Sequence, residues 1–389
     1  MIEINNPADC CGCTACTSVC AHDAITMKAD SEGFLYPEID RKLCVNCGLC
    51  DRVCQITRCT ELEYNPNQLA YKALRLKDRS LLDKSSSGGA FIAVASYVIE
   101  NEGVVCGAEY TDDAVVVHGF AETMNEVERF MGSKYSQSDI IGVFRKIKSY
   151  LRAGRMVLFT GTPCQVYGLN LFLGKTYENL ITLDLVCHAV PSPMIFKEYI
   201  NYCSKRLGSN LISINMRYKH TYGWCHRYAY LFHLENGKHI VDPPQVENWG
   251  RLFFSMLIDR PSCHNCKFTN YNRCGDLTIA DFWDDNNLRP DIRSNEGTSL
   301  CLVNSEKGQS LLESINNKID TWSITKEESD QPSLLRATPC NPKRSKFWKY
   351  YYDNGFEKAY KKYFTDDIIT IMKKYIKRKI KILIYGKKK

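Results

Sequence analysis

Cys10, Cys13, Cys16 and Cys20 follow the spacing C-x2-C-x2-C-x3-C, and Cys44, Cys47, Cys50 and Cys54 repeat it. Three thiolates two residues apart on a tightly turning loop can each reach one iron of a cubane. The fourth, opening a helix, points to the other side, and where two such runs stand in tandem it ligates the other cluster. The spacing therefore assigns Cys10, Cys13, Cys16 and Cys54 to one 4Fe–4S cluster, and Cys44, Cys47, Cys50 and Cys20 to a second. Gly12 and Gly48 stand between ligands, where a side chain would crowd the sulfurs or forbid a positive φ. Zinc sites favour CxxC pairs held apart by a finger-length spacer, and disulfides are geometrically awkward among thiols this crowded. The proline usual after the fourth cysteine is Ala21 in one run and Gln55 in the other, which alters a turn and removes no ligand. Cys11 is additional, placed either near a sulfide or simply in a buried position.

Chemistry-bearing residues continue downstream. In SSSGGAF (85–91), Ser85, Ser86 and Ser87 offer an N-cap, and Gly88 and Gly89 allow a phosphate to approach the backbone of a helix start. A capped helix without a ligand is the plainer reading. MVLFTGTPCQVYGLNLFL (156–173) reads as strand, turn at Gly161 and Thr162, then helix with Pro163 at its first position. Cys164 then lies at a helix N-terminus, where the dipole favours a thiolate. It is a candidate redox thiol, cluster ligand or flavin neighbour, against a small buried apolar residue. Cys187 and His188 end a second apolar strand (180–188), with His188 read as a proton relay or a strand cap. Cys263, Cys266 and Cys274 are one thiol short of a third set, which Cys187 or Cys164 could complete; a zinc site with His264 or His188 is the alternative. DLTIADFW (276–283) is a strand in which Asp276 or Asp281 orients a ring or is solvated.

These residues need elements to hold them. The expected organisation is a two-cluster ferredoxin-type unit over 1–59, with "AIT" and "GFLYPEID" as its strands, and a linker with a first strand over 60–84. A body over 85–335, whose strand–helix–strand order argues for α/β architecture, and a basic aromatic tail over 336–389 complete it. The tail is predicted to end in an amphipathic helix with Thr365 as N-cap, docked on the body or lying on an anionic membrane surface. Of the net charge of +7, sixteen Lys/Arg against four Asp/Glu lie in 343–389, so the remainder is net negative and nucleic-acid binding by the body has no support. Twenty cysteines without an export signal point to metal or redox chemistry in the cytoplasm.

With these residues assembled, the chain resembles the beta-subunit family of coenzyme F420 hydrogenases and dehydrogenases over residues 10 to 310. The resemblance rests on the two cysteine runs, EGFLYP (32–37), SSSGGAF, GSKYSQS (132–138), FTGTPCQVYGL (159–169), LDLVCHAVPSP (183–193), SCHNCKF (262–268), GDLTIADFW and GTSLCLVNSEKG (297–308). It implies an iron–sulfur flavoprotein that binds FAD in the α/β body and passes electrons between clusters and a deazaflavin or other organic acceptor. Ser86, Ser87, Gly88, Gly89, Lys134, Tyr135, Gly161, Thr162, Pro163 and Asp281 would lie at the flavin. Cys263, Cys266, Cys274 and Cys187 would hold a third cluster. The resemblance implies a redox partner protein or small electron carrier. Some relatives suggest an alternative, an electron-transfer subunit serving a partner enzyme such as one of surface-polysaccharide synthesis. Asp284 departs from the glycine usual after DFW and is expected to alter the pocket rim.

Overall fold

The computed structural model describes residues 2–58, 68–224, 229–283 and 289–365. Asp284, the connector over 60–67 and the expected helix beyond Thr365 lie outside the described residues. Each cysteine run turns into a short helix, Ala15–Val19 in the first and Leu49–Arg52 in the second. Between them β1 (Ile25–Ala29) and β2 (Leu35–Ile39) pair as an antiparallel hairpin with Ile25 opposite Ile39.

The body is built on β3 (Ala70–Leu76), β4 (Val104–Tyr110), β5 (Val116–Ala121), β6 (Val157–Gly161) and β7 (Leu180–Leu185). Further along are β8 (Leu211–Tyr218), β9 (Ala229–Leu234), β10 (His239–Val241), β11 (Leu277–Asp281), β12 (Ser299–Val303) and β13 (Ile319–Ser323). Eight strands form one mixed sheet in the order β13-β3-β12-β11-β7-β6-β4-β5. Its centre, β4, β6, β7 and β11, is parallel, and antiparallel strands flank it on both sides. Parallel strands are covered on both faces and so read as continuous apolar runs. On β6, Leu158 faces the Ala90–Glu100 helix, while Val157 and Phe159 face the helices Val143–Arg152 and Pro163–Leu173.

A second layer packs β8, β9 and β10 with the Pro193–Leu207 helix. The aromatic stretch at the start of the expected tail belongs to this layer. Helices Arg344–Asn354 and Phe356–Phe364 bury Phe347, Trp348, Tyr360 and Phe364 in the same core as Tyr199 and Tyr202. Its lysines face outward while Arg344 turns inward to pair with Glu32, so composition alone marks it as a tail while its aromatic spacing makes it core. No helix among the described residues is long and apolar enough to cross a membrane.

The cysteine-run unit is locked onto the body by three arginines, of which Arg344 pairs with Glu32 between β1 and β2. Arg260, with no solvent exposure, donates from Nε to Cys10 O (2.7 Å), from Nη1 to Gln137 Oε1 (2.9 Å) and from Nη2 to Leu35 O (2.8 Å). Gly12, at φ +73°, makes room for it, since a Cβ there would stand 2.8 Å from Arg260 Nη1. Arg145 donates to Ser18 O and pairs with Asp23 at 2.7 Å.

Candidate functional site

The eight run cysteines gather into two groups. Burial raises the Cys16 thiol pKa well above its usual value, and the neighbouring sulfurs of Cys13, Cys10 and Cys54 raise it further. Cys20, Cys44, Cys47 and Cys50 instead line one small cavity with Val45 and Leu49. Cys54 thus sits with the first run and Cys20 with the second, because the turn after each third cysteine sends its helix toward the other run. Among the described residues no three His, Cys, Asp or Glu side chains converge as ligands of a single metal ion. All-thiolate donor sets that surround a space suit a cubane better than a mononuclear ion.

A cavity of about 450 Å³ opens over the carboxyl ends of β6, β7 and β11, where open α/β sheets place their ligands. Ser86, Ser87, Gly89, Lys134, Tyr135, Gly161, Thr162, Cys164, Cys187, His188 and Asp281 line it. Local chain geometry explains their placement. Gly89 starts the Ala90–Glu100 helix in the left-handed region, φ +82°, and Ser86 Oγ accepts from Ser133 N at 2.9 Å, tying two cavity walls together. Thr162 and Gln165 form a reciprocal capping box at the next helix, and Gln165 Nε2 reaches Ser138 Oγ at 3.0 Å.

Two expected residues lie behind the wall. Pro163 is buried at the first helical position and offers its carbonyl to Cys274 Sγ at 3.2 Å. Gly88 is pressed against the sheet, where a Cβ would stand 2.3 Å from Ser299 N and 2.4 Å from Leu74 O. Its lack of a side chain serves strand packing, not phosphate approach. Gly88→Val is expected to destabilise the fold by about 3 kcal/mol through this overpacking, seen as a lower urea midpoint. Asp276 is also structural, accepting from Thr182 N and Oγ1 at 2.8 Å and from Ser305 Oγ at 2.7 Å.

The downstream thiols meet at the cavity wall, with Cys164 and Cys187 lining it and Cys263, Cys266 and Cys274 behind. Burial raises the Cys187 pKa, and Cys263, Cys164 and Cys266 add to it. Cys274 lies beside the buried Asp184–Arg273 pair, whose closest approach is 2.6 Å, and near Cys164. Cys164 also hydrogen-bonds Cys11, which in turn contacts Cys13, and Thr162 Oγ1 lies 3.2 Å from its sulfur. The unassigned Cys11 therefore stands between the first run and the cavity. His264 Nδ1 meets Thr338 O at 3.1 Å, a backbone contact that anchors the ring.

His188 packs between Phe253 and Phe254, with ring centroids 5.4 and 5.6 Å away. Its Nε2 is buried without a hydrogen-bond partner among the described residues, and burial lowers its pKa. Lys134 Nζ donates to the carbonyls of Arg129 and Met131, both at 2.9 Å, and burial draws its pKa down to about 7. Sequence reasoning missed His118, whose pKa burial lowers to about 4 and whose Nε2 meets Thr160 O at 2.8 Å. It also missed Arg217, which grips Asp281 with two bonds of 2.7 and 2.9 Å and reaches Tyr135 OH at 3.3 Å. Trp283 on the same wall stacks on Trp224 at 4.6 Å and 11°. These partners come from β5, β8 and the loop before β9, and no local motif links them to the cavity.

Residues 154–327 match a family model that describes the C terminus of the beta subunit of coenzyme F420 hydrogenase/dehydrogenase. No curated protein matches the chain. A similar solved structure is titled as the xenon-derivatised F420-reducing NiFe hydrogenase complex from Methanosarcina barkeri. It is 18% identical, covers 77% of this chain and 93% of that chain, and has a TM-score of 0.46.

Proposed function

We propose that this oxidoreductase-related chain, whose residues 154–327 match the model of the C terminus of coenzyme F420 hydrogenase/dehydrogenase beta subunits, is an iron–sulfur flavoprotein. In this reading Cys10, Cys13, Cys16 and Cys54 hold one 4Fe–4S cluster, Cys20, Cys44, Cys47 and Cys50 a second, and Cys187, Cys263, Cys266 and Cys274 a third. FAD occupies the cavity over β6, β7 and β11. A bound flavin supplies two-electron hydride chemistry coupled to one-electron exchange with clusters. The substrate is a deazaflavin-like or other organic molecule, and the protein works in the reducing cytoplasm.

The observation that carries this reading is that Cys11 contacts both Cys13 of the first run and Cys164, which lines the cavity together with Cys187. The chain's own residues have separable tasks. Ser86, Ser87 and Gly89, with the start of the Ala90–Glu100 helix, receive phosphate. Arg217 holds Asp281 in a fixed orientation toward the cavity. His188 Nε2, lacking another partner among the described residues, takes a proton from the ligand or gives one to it. The apolar Phe253 and Phe254 keep water from that nitrogen.

Anaerobic purification with iron, sulfide and flavin quantified on one sample tests the proposal. About eight or about twelve irons with one flavin per chain support it, and about twelve select the third cluster. About eight irons with no flavin after reconstitution favour the second reading, an electron-transfer subunit serving a partner enzyme; the surface exposure of Cys47 favours it too.

Lys134 makes the pocket pH-sensitive. Its amine is charged below about 7 and neutral above, so affinity for an anionic flavin is expected to fall as pH rises through that value. The loss should approach about tenfold per pH unit at its steepest. Fluorescence titration of FMN and FAD should show that slope, and Lys134→Met should flatten it.

A further inference from the structure

His118 lines the cavity over the sheet and is only 8% exposed, yet one edge of its ring has nothing to bond. The ring leans from β5 across β4 toward β6, where its Nε2 meets Thr160 O at 2.8 Å. Ala108, paired opposite His118 on β4, is short enough to let it pass. A carbonyl oxygen can only accept, so Nε2 carries the proton and Nδ1 is left with a bare lone pair. Burial keeps the ring neutral, its pKa lowered to about 4, so the lone pair persists throughout the neutral range. Nδ1 is buried without a hydrogen-bond partner among the described residues. Two donors on the same wall are turned elsewhere. Thr160 Oγ1 donates to Cys106 O at 3.2 Å, and Lys134 Nζ donates to the carbonyls of Arg129 and Met131. A buried acceptor without a donor is uncommon in a folded chain, and on a cavity wall it marks where a ligand donor belongs.

We infer that His118 Nδ1 accepts a hydrogen bond from an uncharged O–H or N–H group of the flavin in this cavity, and so fixes which part of the flavin lies over β4 and β5. The inference rests on the flavin reading above and deepens it. Ionised phosphate and carboxylate oxygens offer lone pairs only and repel Nδ1, which bars them from this end. Phosphate is thereby left to Ser86, Ser87 and the start of the Ala90–Glu100 helix. A flavin carries three donors of the required kind: the N3–H of its ring, the hydroxyls of its ribityl chain and, in FAD, the adenine amine. His118 is a binding residue in this scheme and moves no proton.

The test is fluorescence titration of the full chain, reconstituted anaerobically and freed of flavin, with FAD, FMN and lumiflavin as probes. His118→Gln keeps a donor for Thr160 O and loses the acceptor in the Nδ1 place, whereas His118→Asn does the reverse. His118→Gln is expected to weaken FAD binding about tenfold, and His118→Asn to stay within about threefold of wild type. The probes locate the donor. A loss with all three places the ring N3–H at Nδ1, a loss with FAD and FMN alone places a ribityl hydroxyl there, and a loss with FAD alone places the adenine amine. A ring that serves only Thr160 O would reverse the order, with Gln equal to wild type and Asn impaired, and that result overturns the inference. Urea midpoints show whether each variant folds. Should His118→Gln not fold, His118→Leu replaces it: Asn binding FAD more tightly than Leu supports the inference, and equal binding overturns it. A wild-type chain that binds none of the three probes overturns the flavin reading and this inference with it. A wild-type chain that binds FAD no better than His118→Gln does overturns the inference alone.

Discussion

Cys54→Ser is expected to remove about four irons per chain, and adding Cys16→Ser to it is expected to remove no more. Cys54 follows the second run in sequence, but its sulfur is among those pressing on Cys16, with Cys13 and Cys10. Cys20 belongs by position to the first run and lines the cavity of the second. Two substitutions within one set therefore empty the same site. Cys54→Ser combined with Cys47→Ser should empty both, a loss of about eight irons. Iron and sulfide analysis after anaerobic reconstitution distinguishes the crossed sets from the uncrossed ones. In the uncrossed arrangement Cys54→Ser and Cys47→Ser would act together, and Cys54→Ser with Cys16→Ser would strip both sites.

The second large effect is structural. Arg260→Ala is expected to cost about 3–5 kcal/mol and to loosen the cysteine-run unit from the body. The guanidinium satisfies Cys10 O, Leu35 O and Gln137 Oε1 in a site without solvent, and lies 4.5 Å from the Tyr36 ring centroid. Its removal strands two carbonyls that water cannot reach and frees Gln137, whose Nε2 otherwise holds Cys11 O at 2.9 Å. Arg260→Lys should recover little, because a single ammonium cannot span three acceptors in a planar fork. Urea denaturation gives the stability loss. Limited proteolysis gives the second readout, with early cleavage between the run unit and the body expected in Arg260→Ala and not in the wild-type chain.

Much of the site could be read locally. The C-x2-C-x2-C-x3-C spacing names eight thiols because loop curvature alone brings three of them within reach of one cluster. SSSGGAF and FTGTPC announce two helix starts through Gly89, Thr162 and Pro163, whose backbone preferences act over a few residues. The parallel strands β6, β7 and β11 announce themselves through buried apolar runs. FTGTPC reaches the cavity from the carboxyl end of β6, whereas SSSGGAF is brought to it from the β3 side of the sheet, where Gly88 packs on Leu74 and Ser299. Within these limits the cavity wall was legible, and the error at Gly88 is instructive. A glycine pair looks the same in sequence whether it admits a phosphate or a neighbouring strand, and only the position of Ser299, far along the chain, decides.

By itself the sequence determined what depends on neighbours within a turn or two: the ligand runs, the capped helices, the apolar strands and the match of residues 154–327 to a family model. Tertiary structure alone decided what depends on partners far apart in the chain. It set Arg260 among Cys10, Leu35 and Gln137, coupled Arg217 to Asp281, turned His118 inward, and placed Cys11 beside Cys164. It also drew the aromatic residues of 344–364 into the core despite their basic surroundings. Such partners carry no mutual signal in the sequence. A buried arginine or histidine is specified by the acceptors that surround it, and those acceptors are mostly backbone carbonyls, which every residue has.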